Sequence, residues 1–214
     1  MSGRFSDHPR LEEMAMAKVT LETSALLVPA PVVLLSSVSE GGTPNVMGLS
    51  WTGVACGTPP MVSAAIRPER LSYSLIRETG EFVLNIPPAS LVRVVDFCGT
   101  VSGQERDKFA EARLTPMAGL KVRAPLIREC PVNLECVVRH SLVLGSHVLF
   151  VAEVVALHAD EEVVEEGAII VGRVAPLVYD PFGMDYWSLK EVLAHHGFSE
   201  GTMPGRTETG PAKP

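Results

Sequence analysis

The hydrophobic and polar positions of this chain fall mostly into short apolar or alternating runs separated by turn residues, the pattern of strands, with three modest helices among them. PVVLLSSVSE, from Pro31 to Glu40, is apolar, bounded by proline, and reads as a buried strand. GGTP (Gly41–Pro44) follows as turn chemistry. NVMGLSWTGVACGTPP is extended but broken by glycines, and ends at Pro59 and Pro60. MVSAAI is the next strand, and its small residues suit a main chain that something approaches closely. The spacing then predicts a helix with Ser72 as N-cap, an apolar patch at Leu75 and Ile76, and Gly80 as its stop. EFVLNI alternates as a strand. In ASLVRVVDFCG, Leu91, Val94, Val95 and Cys98 recur at i, i+3, i+4 and i+7, which makes a second helix. TVSGQERDKF is a loop or short helix, and RLTPMAGLKVRAP is irregular.

The C-terminal half predicts two long strands about a turn near Gly145, then short strands at AIIVG and APLVY. DYWSLKEVLAHHG reads as a last helix that stops at Gly197. A short helical patch, LEEMAMAKV, sits in an otherwise polar start. Strands and helices do not alternate regularly, so a parallel α/β sheet is disfavoured and an antiparallel barrel with inserted helices is expected. The chain divides into an N-terminal extension (1–20), one domain (21–198) and a flexible polar tail (199–214), with no internal repeat.

Composition narrows the function. The 214 residues, 46% of them hydrophobic, are enough for one domain with a substantial core. No apolar run nears the ~20 residues of a membrane helix, and the N-terminus has no signal-peptide core, so a soluble cytoplasmic protein without a membrane role is expected. The net charge of −7 gives no overall attraction for nucleic acid, so any anion must be held by a few placed donors. The four cysteines, Cys56, Cys98, Cys130 and Cys136, form no CxxC pair and no metal-ligand spacing, and read as reduced thiols. Cys56 stands out because its loop has other functional features. GxGxxG after a strand, GxxxxGK[ST], GxSxG and HExxH are absent, and the acidic run DEEVVEEG reads as a solvated loop.

What remains is a convergence of weak signals. Asn45, Ser50, Trp51 and Thr52 lie on one irregular extended stretch. Ser63, Ala64 and Ala65 end a strand with little side-chain bulk. Arg67, Arg70 and Ser72 fall where that strand empties into a helix N-terminus, where free N–H groups and the helix dipole favour phosphate. Arginine there can grip it bidentately, with Ser102 and Lys108 adding a hydroxyl and a charge. Each residue alone has an ordinary explanation, as a solvated charge, a core tryptophan or a turn asparagine. His147, after LGS, alone reads as a solvent-facing strand start. Together the residues describe a site for a phosphorylated, flat, partly apolar ligand.

The segments from PVVLLSSVSEGG to EFVLNIP, then VDFCGTVSGQERDKFAEARLTP, ECPVNLEC and GSHVLFVAEV, follow in an order and spacing that resembles the flavin reductase-like, FMN-binding split-barrel family, close to its flavoredoxin branch. YDPFGMDYWSL resembles that branch's closing motif, and the likeness spans roughly Ala30 to Leu189. It implies a mainly β fold, a six-stranded antiparallel Greek-key barrel with flanking α-helices. It also implies non-covalent FMN, held near the interface of a homodimer. Asn45, Ser50, Trp51 and Thr52 would face the isoalloxazine ring or its edge. Ser63, Ala64 and Ala65 would run beside the ring and ribityl chain. Arg67, Arg70 and Ser72 would hold the phosphate with Ser102 and Lys108 assisting, and His147 would lie near the flavin as the catalytic candidate. GVACG departs from the more polar or aromatic residues usual after the tryptophan, so the pocket floor is expected to differ.

Such a protein would take hydride from NADH or NADPH onto the flavin. It would pass electrons to free flavin, a ferric complex, a redox partner protein or an oxygenase. The alternative is an FMN electron carrier that reacts poorly with nicotinamide, where Cys56 or Cys98 beside the flavin would bring in thiol or iron chemistry. A flavin-free relative, binding haem or nothing, is a third class.

Overall fold

The structure is a computed structural model, and it describes residues 18–197 apart from Leu26. In chain order the elements begin with β1 (Ala30–Pro31), β2 (Val33–Val38), β3 (Pro44–Leu49), β4 (Thr52–Gly57) and β5 (Pro60–Ile66). Helix α1 (Leu71–Thr79), β6 (Glu81–Ile86), α2 (Val92–Thr100) and α3 (Lys108–Glu111) follow. The two-residue β7 (Pro116–Met117) and β8 (Leu126–Ile127) precede the long hairpin of β9 (Val132–Leu144) and β10 (His147–Ala159). The chain closes with β11 (Val164–Glu165), β12 (Ala168–Ile169), α4 (Val171–Val174), β13 (Leu177–Asp180) and β14 (Asp185–Ser188).

Seven strands form one sheet in the order β3-β2-β6-β9-β10-β5-β4, with every neighbour antiparallel. The end strands β3 and β4 follow one another in the chain through Ser50 and Trp51 but do not pair, so the barrel is split along that seam. The expected six strands become seven because the glycine-interrupted stretch breaks at Ser50–Trp51 into two strands rather than one.

The pleat sorts the side chains. Val33 and Leu35 of β2, Met47 and Leu49 of β3, and Val62, Ala64 and Ile66 of β5 meet Phe82 and Phe150 inside the barrel. The alternate residues Leu34 and Val46 pack outward against Val95 and Cys98 of α2. Strand β2 is therefore buried on both faces, as its near-continuous apolar run predicted. Helix α2 lies directly on β3: a methyl group on Gly48 would stand 2.7 Å from the Val95 carbonyl oxygen and 3.1 Å from Gly99 Cα. Only a glycine permits that approach, and it fixes where the chain leaves α2 toward residues 101–108.

Several local expectations are corrected. Arg70, in extended conformation and without a side-chain capping bond, is the N-cap of α1; Ser72 is the helix's second residue and is buried. The tertiary bond from Asn45 takes the hydroxyl that a capping bond would use. Gly80 is the left-handed C-cap, as expected. The last helix is absent: Asp185–Ser188 pairs with β13 instead, in register Tyr179 with Tyr186, and residues 189–195 form no regular element. The apparent helical spacing there loses to a turn in which the Phe182 N–H donates to Asp180 Oδ1 at 2.8 Å. AIIVG gives only two strand residues before α4. The helical patch of residues 11–19 lies almost wholly, and the tail of 199–214 entirely, outside the described residues. The acidic run sits on the exposed β11–β12 corner, where Glu165 pairs with Arg173. No helix among the described residues is long and apolar enough to cross a membrane.

Candidate functional site

Three hollows run along the outside of the split barrel and share residues end to end. The smallest, about 10 Å³, is lined by Asn45, Arg70, Ser72, Ser102, Gly103 and Lys108 among others. The next, about 370 Å³, shares Arg70 with it and adds Ser50, Tyr179 and Tyr186. The third, about 510 Å³, shares Ser50 and adds Trp51, Thr52, Ser63, Ala65 and Leu149. The three adjoin at Arg70 and at Ser50, with a tight polar end and a roomy apolar end.

The polar end has the donor set of an anion seat. Helix α1 starts there with no side chain capping its first turn and no acid in that turn, so N–H groups and the dipole face the hollow unopposed. Ser72 Oγ accepts from Asn45 Nδ2 at 2.8 Å, which leaves the serine proton free to donate. Lys108 is 4% exposed, and its Nζ donates to the Cys98 and Val101 carbonyls at 3.0 and 3.2 Å. An ammonium has three N–H donors, so one remains for the seat. Burial lowers the Lys108 pKa to about 8; Cys98 acts against the shift and Arg70 adds to it. A cation pushed toward neutrality by burial, with a second cation adding to the push, gains by taking up an anion. The donor set fits a phosphate dianion: a guanidinium, an ammonium, a serine hydroxyl and helix N–H groups, with no carboxylate among the lining residues.

The other end is lined by Ser24, Ala25, Leu27, Ala30 and Pro31 ahead of β2, by Ser50 and Trp51, and by the hairpin of β4 and β5. Ala65 N–H donates to the Trp51 carbonyl at 2.8 Å, and Thr52 Oγ1 donates to the Ser63 carbonyl at 2.6 Å. With these polar groups satisfied, the wall offered outward is flat and nearly apolar. The rings of Trp51 and His147 stack with centroids 4.6 Å apart and planes 4° apart. Partial burial, and after it the charge of Arg67, hold the His147 imidazole below its ordinary pKa, against an opposite pull from Glu69.

The sequence-predicted residues therefore divide. Arg70, Ser72, Ser102 and Lys108 converge at the seat. Asn45, expected at the ring, sits there too, because it opens β3 while Ser50 follows that strand's far end, about 17 Å away at strand rise. Arg67, expected at the phosphate, instead pairs with Glu69 at 3.7 Å beside His147. The Ala64 side chain faces the barrel core, and only its neighbours Ser63 and Ala65 line the groove, because successive strand residues face opposite sides. Cys98 contributes its carbonyl alone; burial raises its thiol to about 11. Cys56 lines none of the three linked hollows, and all four thiols are free. Leu149 and Gly103 were missed. Leu149 lies two residues beyond His147 on one strand face, a period-two signal that would have found it.

A family model described as a flavin reductase like domain matches residues 25–188. Flavoredoxin of Desulfovibrio vulgaris (Miyazaki F) superposes with a TM-score of 0.81 at 32% identity, covering 87% of this chain and 100% of that one. Flavoredoxin from Methanosarcina acetivorans gives the same score and coverage at 27% identity. Nitrilotriacetate monooxygenase component B from Bacillus cereus shares the fold, with a TM-score of 0.76 at 24% identity over 84% of this chain and 99% of that one. With its split seven-stranded barrel and this match across most of its length, the chain belongs to the flavin reductase-like, FMN-binding family, in its flavoredoxin branch.

Proposed function

We propose that this chain binds FMN non-covalently, takes hydride from NADH or NADPH, and passes electrons to free flavin, a ferric complex, a redox partner protein or an oxygenase. The observation that carries the reading is the convergence of Arg70, Ser72, Ser102 and Lys108 on one anion seat, with hollows that adjoin it in turn and end at an apolar wall. Bound FMN supplies a ring that accepts hydride and releases electrons. Arg70, Ser72, Lys108 and the first N–H groups of α1 hold its phosphate. Ser63 and Ala65 give the ring a surface without large side chains, and Leu149 adds apolar contact beside them. Ser50 and Trp51 lie between the strands, and their N–H groups would meet the ring's polar edge and stabilise negative charge there. His147, kept uncharged near neutrality, orients the nicotinamide at the mouth.

A second copy of the chain completes the apolar end. Trp51 is 45% exposed and Val54, on the edge strand β4, is 86% exposed, an apolar surface that water covers poorly. The carrier reading is favoured by the likeness to flavoredoxins at 32% and 27% identity.

Stopped-flow mixing of FMN-loaded protein with NADH and with NADPH separates the two readings. Reduction within seconds by either nucleotide is the expected result. Inertness to both, with reduction by a low-potential protein donor, assigns the carrier role. A purified protein that neither carries nor takes up FMN ends both.

A further inference from the structure

The closing hairpin of β13 and β14 has no part in the FMN reading above. It pairs with β1 in a small sheet separate from the barrel, yet it reaches the two larger of the three hollows. Tyr179, Met184 and Tyr186 line the middle hollow, and Pro181 lines the apolar one. Tyr179 and Tyr186 face each other across the hairpin, with ring centroids 5.1 Å apart, and pack against the cluster that holds Val95 of α2. On the next residue of that helix, Asp96 Oδ1 accepts from the Tyr186 hydroxyl at 3.4 Å. Burial, and after it the Asp96 charge, raises the phenol to about 12, so it keeps its proton. With that proton committed to Asp96, the phenol oxygen and the second carboxylate oxygen are acceptors. Neither has a donor among the described residues.

We infer that Asp96 and Tyr186 form a polyol subsite, reading the hydroxyl groups of the chain that joins the flavin ring to its phosphate. This rests on the FMN reading above. The middle hollow adjoins the seat at Arg70 and the apolar end at Ser50, so the connecting chain of such a ligand falls between them. The chemistry of the middle hollow differs from that of the seat. The seat has no carboxylate among its lining residues, whereas the middle hollow has Asp96. A carboxylate repels a second anion and favours neutral O–H donors. A plain alkyl chain there would displace water from both acceptors and give no hydrogen bond in return.

The test compares FMN with its phosphopentyl analogue, which keeps the ring and the phosphate and lacks the inner hydroxyls. The apo-protein is titrated calorimetrically with each, as wild type, Asp96→Ala, Tyr186→Phe and Arg70→Ala. The wild type is expected to bind FMN about tenfold more tightly than the analogue. Asp96 is exposed, and competition from water keeps that ratio far below what a buried polar site gives. Asp96→Ala and Tyr186→Phe are each expected to cut the ratio by about threefold or more, by weakening FMN alone. Arg70→Ala weakens both ligands and leaves the ratio unchanged. Circular dichroism checks folding, and Tyr186→Phe, which keeps the packed ring, reads the ratio if Asp96→Ala does not fold. Equal wild-type affinity for the two ligands, or an unchanged ratio in both Asp96→Ala and Tyr186→Phe, overturns the subsite and leaves the FMN reading intact. Binding of neither ligand by the wild type overturns the FMN reading itself, and the subsite with it.

Discussion

The two ends of the groove are built on opposite plans. The seat is assembled from four separate stretches of one chain: Asn45 from β3, Arg70 and Ser72 at the start of α1, Ser102 and Gly103 after α2, and Lys108 at the start of α3. Asn45, Ser72 and Lys108 are buried, with Asn45 bonded to Ser72 and Lys108 to the Cys98 and Val101 carbonyls, and Gly48 pressed against α2 sets their frame. The apolar end draws on Ser24, Ala25, Leu27, Ala30 and Pro31 ahead of β2, on Ser50 and Trp51, and on the β4–β5 hairpin; its Thr52 hydroxyl is satisfied within the ladder, and Trp51 is left half exposed. On the proposed function, affinity would reside at the seat, in prearranged donors that lose little freedom on binding, and reactivity at the open end, where a second molecule has to reach the ring.

That division makes the largest effects belong to the seat. Arg70→Ala and Lys108→Met are each expected to weaken FMN binding by about one to two decades, the loss of a charged phosphate contact of ~1.5–3 kcal/mol. Isothermal titration measures it, and wild-type affinity in both variants breaks the assignment of binding to this end. A pH effect of intermediate size follows from Lys108. Its folded-state pKa is lowered to about 8 in the free protein, and a bound dianion raises it, so binding takes up a proton above that value. FMN affinity should be level just below pH 8 and fall above it, by up to about tenfold per pH unit, since one proton is linked. The slope should vanish in Lys108→Met; a slope that persists there belongs to another group.

The seat was also the more legible end. A strand emptying into a helix beside arginines is a local pattern, and local patterns carry α1, its Gly80 cap, the long β9–β10 hairpin and the seat residues Arg70 and Ser72. Spacing alone does not show which neighbours a side chain finds across the fold. Asn45 reaches Ser72 over 27 residues of sequence, and Gly103 matters only because that carboxamide lies on it. The missed closing strand has the same origin: Tyr186 is held by pairing with Tyr179 and packing within 5.1 Å of its ring, a partner that helical periodicity does not see. Arg67 and Arg70, only three residues apart, read as one pair in the sequence, but only Arg70 lines the polar hollow, while Arg67 pairs with Glu69 and its charge acts on His147.

At the apolar end, Trp51→Ala and His147→Ala should each change FMN affinity by no more than about tenfold, because the stacked pair contributes about 0.5–1.5 kcal/mol beyond its buried area. Their effect should appear instead in the rate at which nicotinamide reduces the bound flavin, read by stopped flow. A loss of affinity as large as that of Arg70→Ala would merge the two ends into one binding unit.

The smallest effect sharpens the comparison most. Arg67 is more than half exposed and its partner Glu69 more exposed still, so their ion pair contributes about 0–1 kcal/mol. Arg67→Ala should therefore change FMN affinity by no more than about fivefold, though it stands only three residues from the arginine whose loss costs decades. It should instead change His147. Arg67's charge helps to hold that imidazole below its ordinary pKa, second to burial, so its removal should move the histidine titration upward. NMR titration of the His147 ring protons in wild type and variant reads the shift. The reverse outcome, an unmoved His147 with a large loss of FMN affinity, would return Arg67 to the phosphate and leave the groove with one basic end rather than two ends of different kind.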